Sequence, residues 1–239
     1  MTPPPSSTST STTLPTKIGI LLYPSFQLID VAGPLDALNI LSYTHPLTLS
    51  IVAATLTPIS TQTAAGTQRG SIFAQSIMPT HTFETAPRDL DVVIVPGGLG
   101  MRGEGWEERM KGVGEWLEGL GLGRGEDRGP KWVLTICTGS EILARTGALQ
   151  GRKATCNKRA FNEVKSRHPN VDWIAKARWV VDGRFWTSSG VSAGIDLTYA
   201  WIGHVFGEDV AQDIADRSEY VRNTDAGDDG GFAERWGAI

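Results

Sequence analysis

Four short, nearly continuous apolar runs divide the chain, at residues 17–23, 47–54, 91–95 and 132–136. Each has the length of a strand but lacks an alternating polar face, the form expected of strands covered on both sides. Between them the period changes to that of helices. After Gly33-Pro34, the residues Leu35, Leu38 and Leu41 fall at helical spacing, with proline where a first helical turn tolerates it. Met110, Val113 and Leu117 do the same within 106–120. Strand, helix, strand in that order requires a parallel pair with a right-handed crossover. The pattern therefore predicts an α/β fold with a mostly parallel central sheet flanked by helices on both faces.

Residues 57–79 alternate small polar and apolar positions around Gly66 and Gly70, which suggests a hairpin or pair of short strands appended to the main sheet. The Gly-rich stretch 119–129 reads as a surface loop. The fourth run leads straight into a helix that stops near Gly147, and a further helix spans 159–167 before Pro169. Residues 179–187 fold back around Asp182-Gly183, a strong hairpin signal. The segment 192–206 is apolar nearly all round, so it is expected to be buried by the sheet and by a partner subunit. Residues 1–15, almost all Pro, Ser and Thr, read as a disordered tail, 16–222 as one α/β domain, and 223–239 as a loose C-terminal tail.

Composition narrows the function. The 239 residues carry 22 basic and 26 acidic side chains, a formal charge of −4, with no concentration of Lys or Arg. Nucleic acid and anionic membrane are therefore not expected as partners. Two cysteines make no disulfide framework, and four scattered histidines offer no metal-ligand spacing, so reduced thiols in a cytoplasmic setting, no metal and no cofactor are the expectation. No apolar run approaches a membrane span, and the first fifteen residues lack the basic and apolar regions of a secretory signal.

Cys137 is the residue that chemistry would choose. It follows the fourth strand and precedes a helix, so the turn lifts it toward the crevice where α/β ligands bind, and the helix N-terminus is expected to favour thiolate. A small buried hydrophobe is the competing reading. Asp30 lies beyond the first strand among apolar neighbours and needs a partner or a raised pKa, unless it serves as an N-cap for the Gly33 helix. Gly97-Gly98 after the third strand offers backbone N–H groups that, with the Thr138 N–H, could hold developing negative charge; a plain tight turn competes. If the strands are parallel, all three segments end at one edge of the sheet.

These residues resemble a known family. Asp-Val-x-Gly-Pro from Asp30, Val-Pro-Gly-Gly at 95–98, Ile-Cys-Thr-Gly-Ser at 136–140, Ala-Thr-Cys-Asn-Lys at 154–158 and Ser-Gly-Val-Ser-Ala-Gly-Ile-Asp at 189–196 are similar to the ThiJ/PfpI superfamily, and most to its isonitrile hydratase-like branch. The resemblance implies a flavodoxin-like, glutamine amidotransferase-like sandwich with a nucleophile elbow, and a homodimer. It implies that the family's catalytic cysteine, adjacent threonine and acid fall on Cys137, Thr138 and Asp30. The implied reaction is addition of the Cys137 thiolate to the terminal carbon of an isonitrile, giving a thioimidate that water converts to an N-substituted formamide, with Asp30 moving protons.

Many members with protease, chaperone or glyoxalase activity resemble one another in a histidine after the elbow. Here the segment reads Cys156-Asn157-Lys158, so a Cys–His pair is not assigned. Asn157 is a candidate for hydrogen-bonding a substrate, or a helix N-cap. Gly98 and Ser189 are further candidates for substrate binding, and Ser188 and Ser192 equally suit capping. His81 reads as a solvated loop residue, and Cys156 as a buried thiol or an oxidisable partner of Cys137. Two other functions stay open: a ligand-binding or regulatory module of the same fold, and a redox or carbonyl-stress protein. Thiol reactivity against pH separates them, since a depressed Cys137 pKa supports chemistry and an inert thiol supports binding.

Overall fold

In chain order the first apolar run becomes β1 (Lys17–Leu21), feeding α1 (Leu28–Leu41) and then β2 (Thr48–Ala53). Next come β3 (Ile59–Ser60), α2 (Ala64–Gln68), β4 (Ser76–Ile77) and β5 (His81–Thr82). The third run is β6 (Val92–Val95), followed by α3 (Trp106–Arg109) and α4 (Val113–Gly119); the fourth is β7 (Trp132–Thr135), running into α5 (Gly139–Arg145). Then follow β8 (Lys153–Ala154), a 3-10 turn (Lys158–Ala160), α6 (Phe161–Arg167) and β9 (Asp172–Trp173). The chain closes with β10 (Trp179–Asp182), β11 (Phe185–Ser188), α7 (Ala193–Phe206), α8 (Glu208–Arg217) and α9 (Phe232–Arg235). This computed structural model describes residues 13–126 and 128–239, so residues 1–12 of the expected N-terminal tail lie outside it.

Seven strands form the main sheet in the order β10-β11-β7-β6-β1-β2-β5, parallel throughout except for the β10–β11 hairpin. The middle strands β6 and β7 are buried at every position, as their unbroken apolar runs require. Helices α1, α7 and α8 pack as one group and α4 with α5 as another, which gives the layered α/β architecture the pattern predicts. Because β1, β6 and β7 are neighbours and parallel, the segments after them emerge side by side at one edge of the sheet.

The structure departs from the sequence expectations in four places. Helix α1 starts at Leu28, so Asp30 is in its first turn and Pro34 is inside it. The start is early because the Gln27 N–H is docked on the Gly97 carbonyl at 2.9 Å, and the helix can begin as soon as that contact is made. The expected helix 106–120 is two helices, interrupted where Gly112 takes a left-handed φ of 77°. Strands β3 and β4 form their own antiparallel pair, apart from the main sheet, with α2 between them.

Helix α7 packs against the sheet and against the chain's own α1 and α8. The segment 223–239 is docked, not loose. Asp196, 1% exposed, gathers Arg178 at 2.5 Å, the Tyr220 hydroxyl at 2.8 Å and the Asn223 N–H at 2.9 Å. The Arg178 N–H then donates to the Ala226 carbonyl at 2.7 Å, and Asn162 Nδ2 to the Gly237 carbonyl at 2.8 Å. Polar contacts do this docking, so no apolar period announces it. No helix among the described residues is long and apolar enough to cross a membrane.

Candidate active site

Three adjacent strand ends supply the centre of the site: β1 leads to Asp30, β6 to Gly97-Gly98 and β7 to Cys137. Cys137 takes a left-handed φ of 60°, a conformation that a non-glycine residue adopts only when its surroundings force it. They do so from both sides. Its N–H donates to the Ser189 carbonyl at 3.1 Å, and its carbonyl accepts from the Asn157 N–H at 3.2 Å and from Ser140 Oγ at 3.3 Å. The turn also needs Gly139, where a Cβ would stand 2.0 Å from the Val95 carbonyl oxygen. This is the sharp strand-to-helix elbow the sequence suggests.

The thiol at its tip is 7% exposed. Burial, and after it the nearby Asp30 carboxylate, pushes its pKa up from 9.0 to about 12. Hydrogen bonds from the Val191 N–H, the Asn157 amide and the Thr138 N–H pull the other way without winning. The expected thiolate is thus corrected: at neutral pH the resting group is S–H, because desolvation and a neighbouring acid outweigh the donors around the sulfur. Cys156 is fully buried, its thiol also raised by burial, and both cysteines are free.

Asp30 is wholly buried beneath Cys137. Its Oδ2 accepts from the Gly97 N–H at 2.9 Å, while Oδ1 has no hydrogen-bond partner. Burial raises its pKa from 3.8 to about 7, against the pull of the Gly97 N–H and the Cys137 thiol. It is not the N-cap of α1, since Gln27 holds that place. Gly97 is required here, for a Cβ would lie 2.6 Å from Thr138 N and 2.9 Å from Asp30 Oδ2.

The Gly98 N–H donates to Thr138 Oγ1 at 3.1 Å, and the Thr138 side chain makes no cap bond to α5. Both glycine N–H groups are therefore already engaged, so of the expected anion hole of Gly97, Gly98 and Thr138 the Thr138 N–H alone faces the sulfur, where the Val191 N–H joins it.

Asn157 combines its two expected possibilities. Its Oδ1 accepts from the Arg159 N–H at 3.0 Å, capping the 3-10 turn, and this fixes the amide so that Nδ2 donates to Cys137 Sγ at 3.3 Å. Ser189 is corrected: it contributes its backbone to the elbow and does not line the cavity. Ser188 Oγ donates to the Ser189 carbonyl, and Ser192 precedes α7 without a side-chain cap. His81 lies in β5, away from the cavity.

A cavity of about 560 Å³ opens above the thiol, with Gly98, Cys137, Thr138 and Asn157 on its floor. Gln27, Leu99, Arg102, Arg159, Glu163 and Val191 stand around it; the loop that carries Leu99 and Arg102 was expected to shape the pocket, and the other four were not legible in the sequence. Val191 acts through a backbone N–H, at a left-handed φ of 40°, and so leaves no side-chain signature. Arg102 is held by Glu141 at 3.2 Å and Glu163 at 2.7 Å. Burial would raise the fully buried Glu141, but Arg167, Arg145 and Arg102 more than offset it and hold its carboxyl below the ordinary value. Among the described residues no group of three or more His, Cys, Asp or Glu could hold a metal ion.

Known proteins resemble this chain in sequence and fold. The isonitrile hydratase of Pseudomonas putida is 33% identical over 209 residues, spanning 86% of this chain and 78% of the relative. The HTH-type transcriptional regulator GbdR of Pseudomonas aeruginosa is 26% identical over 209 residues, 87% of this chain but only 52% of the regulator. Among solved structures, a THiJ/PfpI family protein from Pseudomonas syringae superposes with a TM-score of 0.67 at 26% identity, covering 92% of this chain and 83% of that one. The DJ-1/PfpI family model matches residues 16–203, from the start of β1 into α7 and across every strand end that builds the elbow. The chain belongs to the DJ-1/PfpI family.

Proposed function

We propose that this chain hydrates an isonitrile to an N-substituted formamide, with Cys137 as nucleophile and Asp30 as the group that moves its proton. The observation that carries the reading is the buried pair of an unionised thiol and a carboxyl raised to about 7 at the floor of a cavity. Addition of a thiol to an isonitrile suits such a pair, because the terminal carbon accepts both the sulfur and the proton. As the C–S bond forms, Asp30 takes the proton from sulfur and passes it to that carbon, giving the neutral thioimidate R–N=CH–S–Cys137. Water then adds to the same carbon, the C–S bond breaks, the proton returns to sulfur, and R–NH–CHO leaves. Asp30 is buried within hydrogen-bonding reach of the thiol, which suits exchange of its proton. The similarity to a hydratase over most of both chains supports the same reading.

One observation favours a second reading: a thiol protonated at rest also suits a module that binds a ligand without turnover. Incubation with a simple alkyl isonitrile separates them, with formamide followed by NMR. Formamide from the wild type and none from Cys137→Ala is the expected result. Equal turnover by both excludes covalent catalysis at this residue, and none by either supports ligand binding.

A further inference from the structure

The cavity above Cys137 is lined by a cation with no carboxylate partner among the described residues. Three charged side chains line it, Arg102, Arg159 and Glu163. Arg102 is bound to Glu141 and Glu163, and Glu163 is shared with Arg167. Arg159 forms no ion pair among the described residues.

It is nevertheless held in place. The Arg159 backbone N–H donates to Asn157 Oδ1 at 3.0 Å, and the same amide donates to Cys137 Sγ at 3.3 Å, so the Asn157 side chain links the backbone of residue 159 to the sulfur. Its guanidinium lies over the Trp236 ring, 5.4 Å from the centroid, and the chain there is fastened by Asn162 to the Gly237 carbonyl at 2.8 Å. An aromatic face restrains a guanidinium without using its planar fork of N–H donors, the geometry that matches a carboxylate.

We propose that the molecule bound above Cys137 carries a carboxylate, recognised by Arg159. Resting on the hydration reading, this makes the substrate an isonitrile that bears a carboxylate, an isocyano acid, with the carboxylate a spectator in the reaction. Arg159 is then a binding residue that selects between charged and neutral isonitriles.

Two measurements test this, and the first needs no turnover. Iodoacetate and iodoacetamide alkylate a thiol at the same carbon and differ in charge. Their rates at Cys137, resolved from Cys156 by peptide mass mapping, are compared in the wild type, Arg159→Gln and Arg159→Lys. The expected result is a fall of roughly fivefold or more in the iodoacetate-to-iodoacetamide ratio for Arg159→Gln, with Lys retaining part of the preference and added salt compressing the wild-type ratio. An unchanged ratio in Arg159→Gln overturns the proposal, whether or not isonitriles react.

The second measurement is kcat/KM for isocyanoacetate against its neutral methyl ester. The expected wild-type preference for the acid is lost in Arg159→Gln through a raised KM at similar kcat. Turnover of both without preference overturns the carboxylate and leaves hydration standing. Turnover of neither defeats hydration, and the alkylation ratio then decides whether Arg159 selects anions.

Discussion

A thiol pushed up to about 12 and a carboxyl raised to about 7 meet beneath the cavity, and each is shifted first by burial. For Asp30 this makes stability depend on pH with a definite sign. Below its ordinary value of 3.8 the carboxyl is protonated in both the folded and unfolded chain. Between there and about 7 the unfolded chain releases a proton that the folded protein keeps, so stability falls as pH rises, and above about 7 the loss is complete.

Asp30→Asn, similar in shape and uncharged, removes that slope. Urea denaturation between about pH 4.5 and about pH 7.5 should show the wild type losing roughly 2–4 kcal/mol relative to the variant. Isonitrile hydration by the variant should fall by about a hundredfold or more, because the proton has no acceptor behind the sulfur. Cys137 and Asp30 were both legible in the sequence, each being a reactive side chain in an apolar setting beyond a strand. The direction of the thiol's shift was not, because a helix end is visible in sequence and the depth of burial is not.

At the scale of elements, the 3-10 turn at Lys158–Ala160 and the nucleophile share one amide. Asn157→Asp keeps an oxygen for the Arg159 N–H but replaces the donor at the sulfur with a charge. Stability should stay within about 1 kcal/mol of wild type, while alkylation of Cys137 at neutral pH slows roughly tenfold. Asn157→Ala should lose about 1 kcal/mol with the cap as well. The strands were legible because a strand covered on both faces has an unbroken apolar run. The start of α1 was not, because proline's preference for a first turn was outweighed by the docking of Gln27 on Gly97. Ser189 misleads and Val191 goes unseen for a related reason: their contribution is a backbone carbonyl and a backbone N–H, which any residue type supplies.

Across the whole molecule, the C-terminal segment is joined to the domain by buried charge. Asp196 binds Arg178, Tyr220 and Asn223 together, and Arg178 carries the chain onward to Ala226. Asp196→Ala leaves a guanidinium that is only 16% exposed without its counter-charge, so a loss of about 3 kcal/mol is expected in urea denaturation. Limited proteolysis should then cut within 223–239 before the domain itself. Its polar and glycine-rich character has no period and so reads as loose, although the backbone of Asn223, Ala226 and Gly237 bonds to the folded domain while Asp225 and Asp229 bond within the segment.

The elbow, the acid and the glycine pair hang from β7, β1 and β6, three neighbours in the middle of the sheet. Their mutual placement is therefore as rigid as the core, and it exists before any molecule arrives. The rim belongs to later and more peripheral elements: the capped turn, α6 and the terminal segment leaning on Arg159. Reactivity is in this way inherited from the sheet while selectivity is assigned at the edge, so the same floor can serve different molecules when only the edge is rewritten.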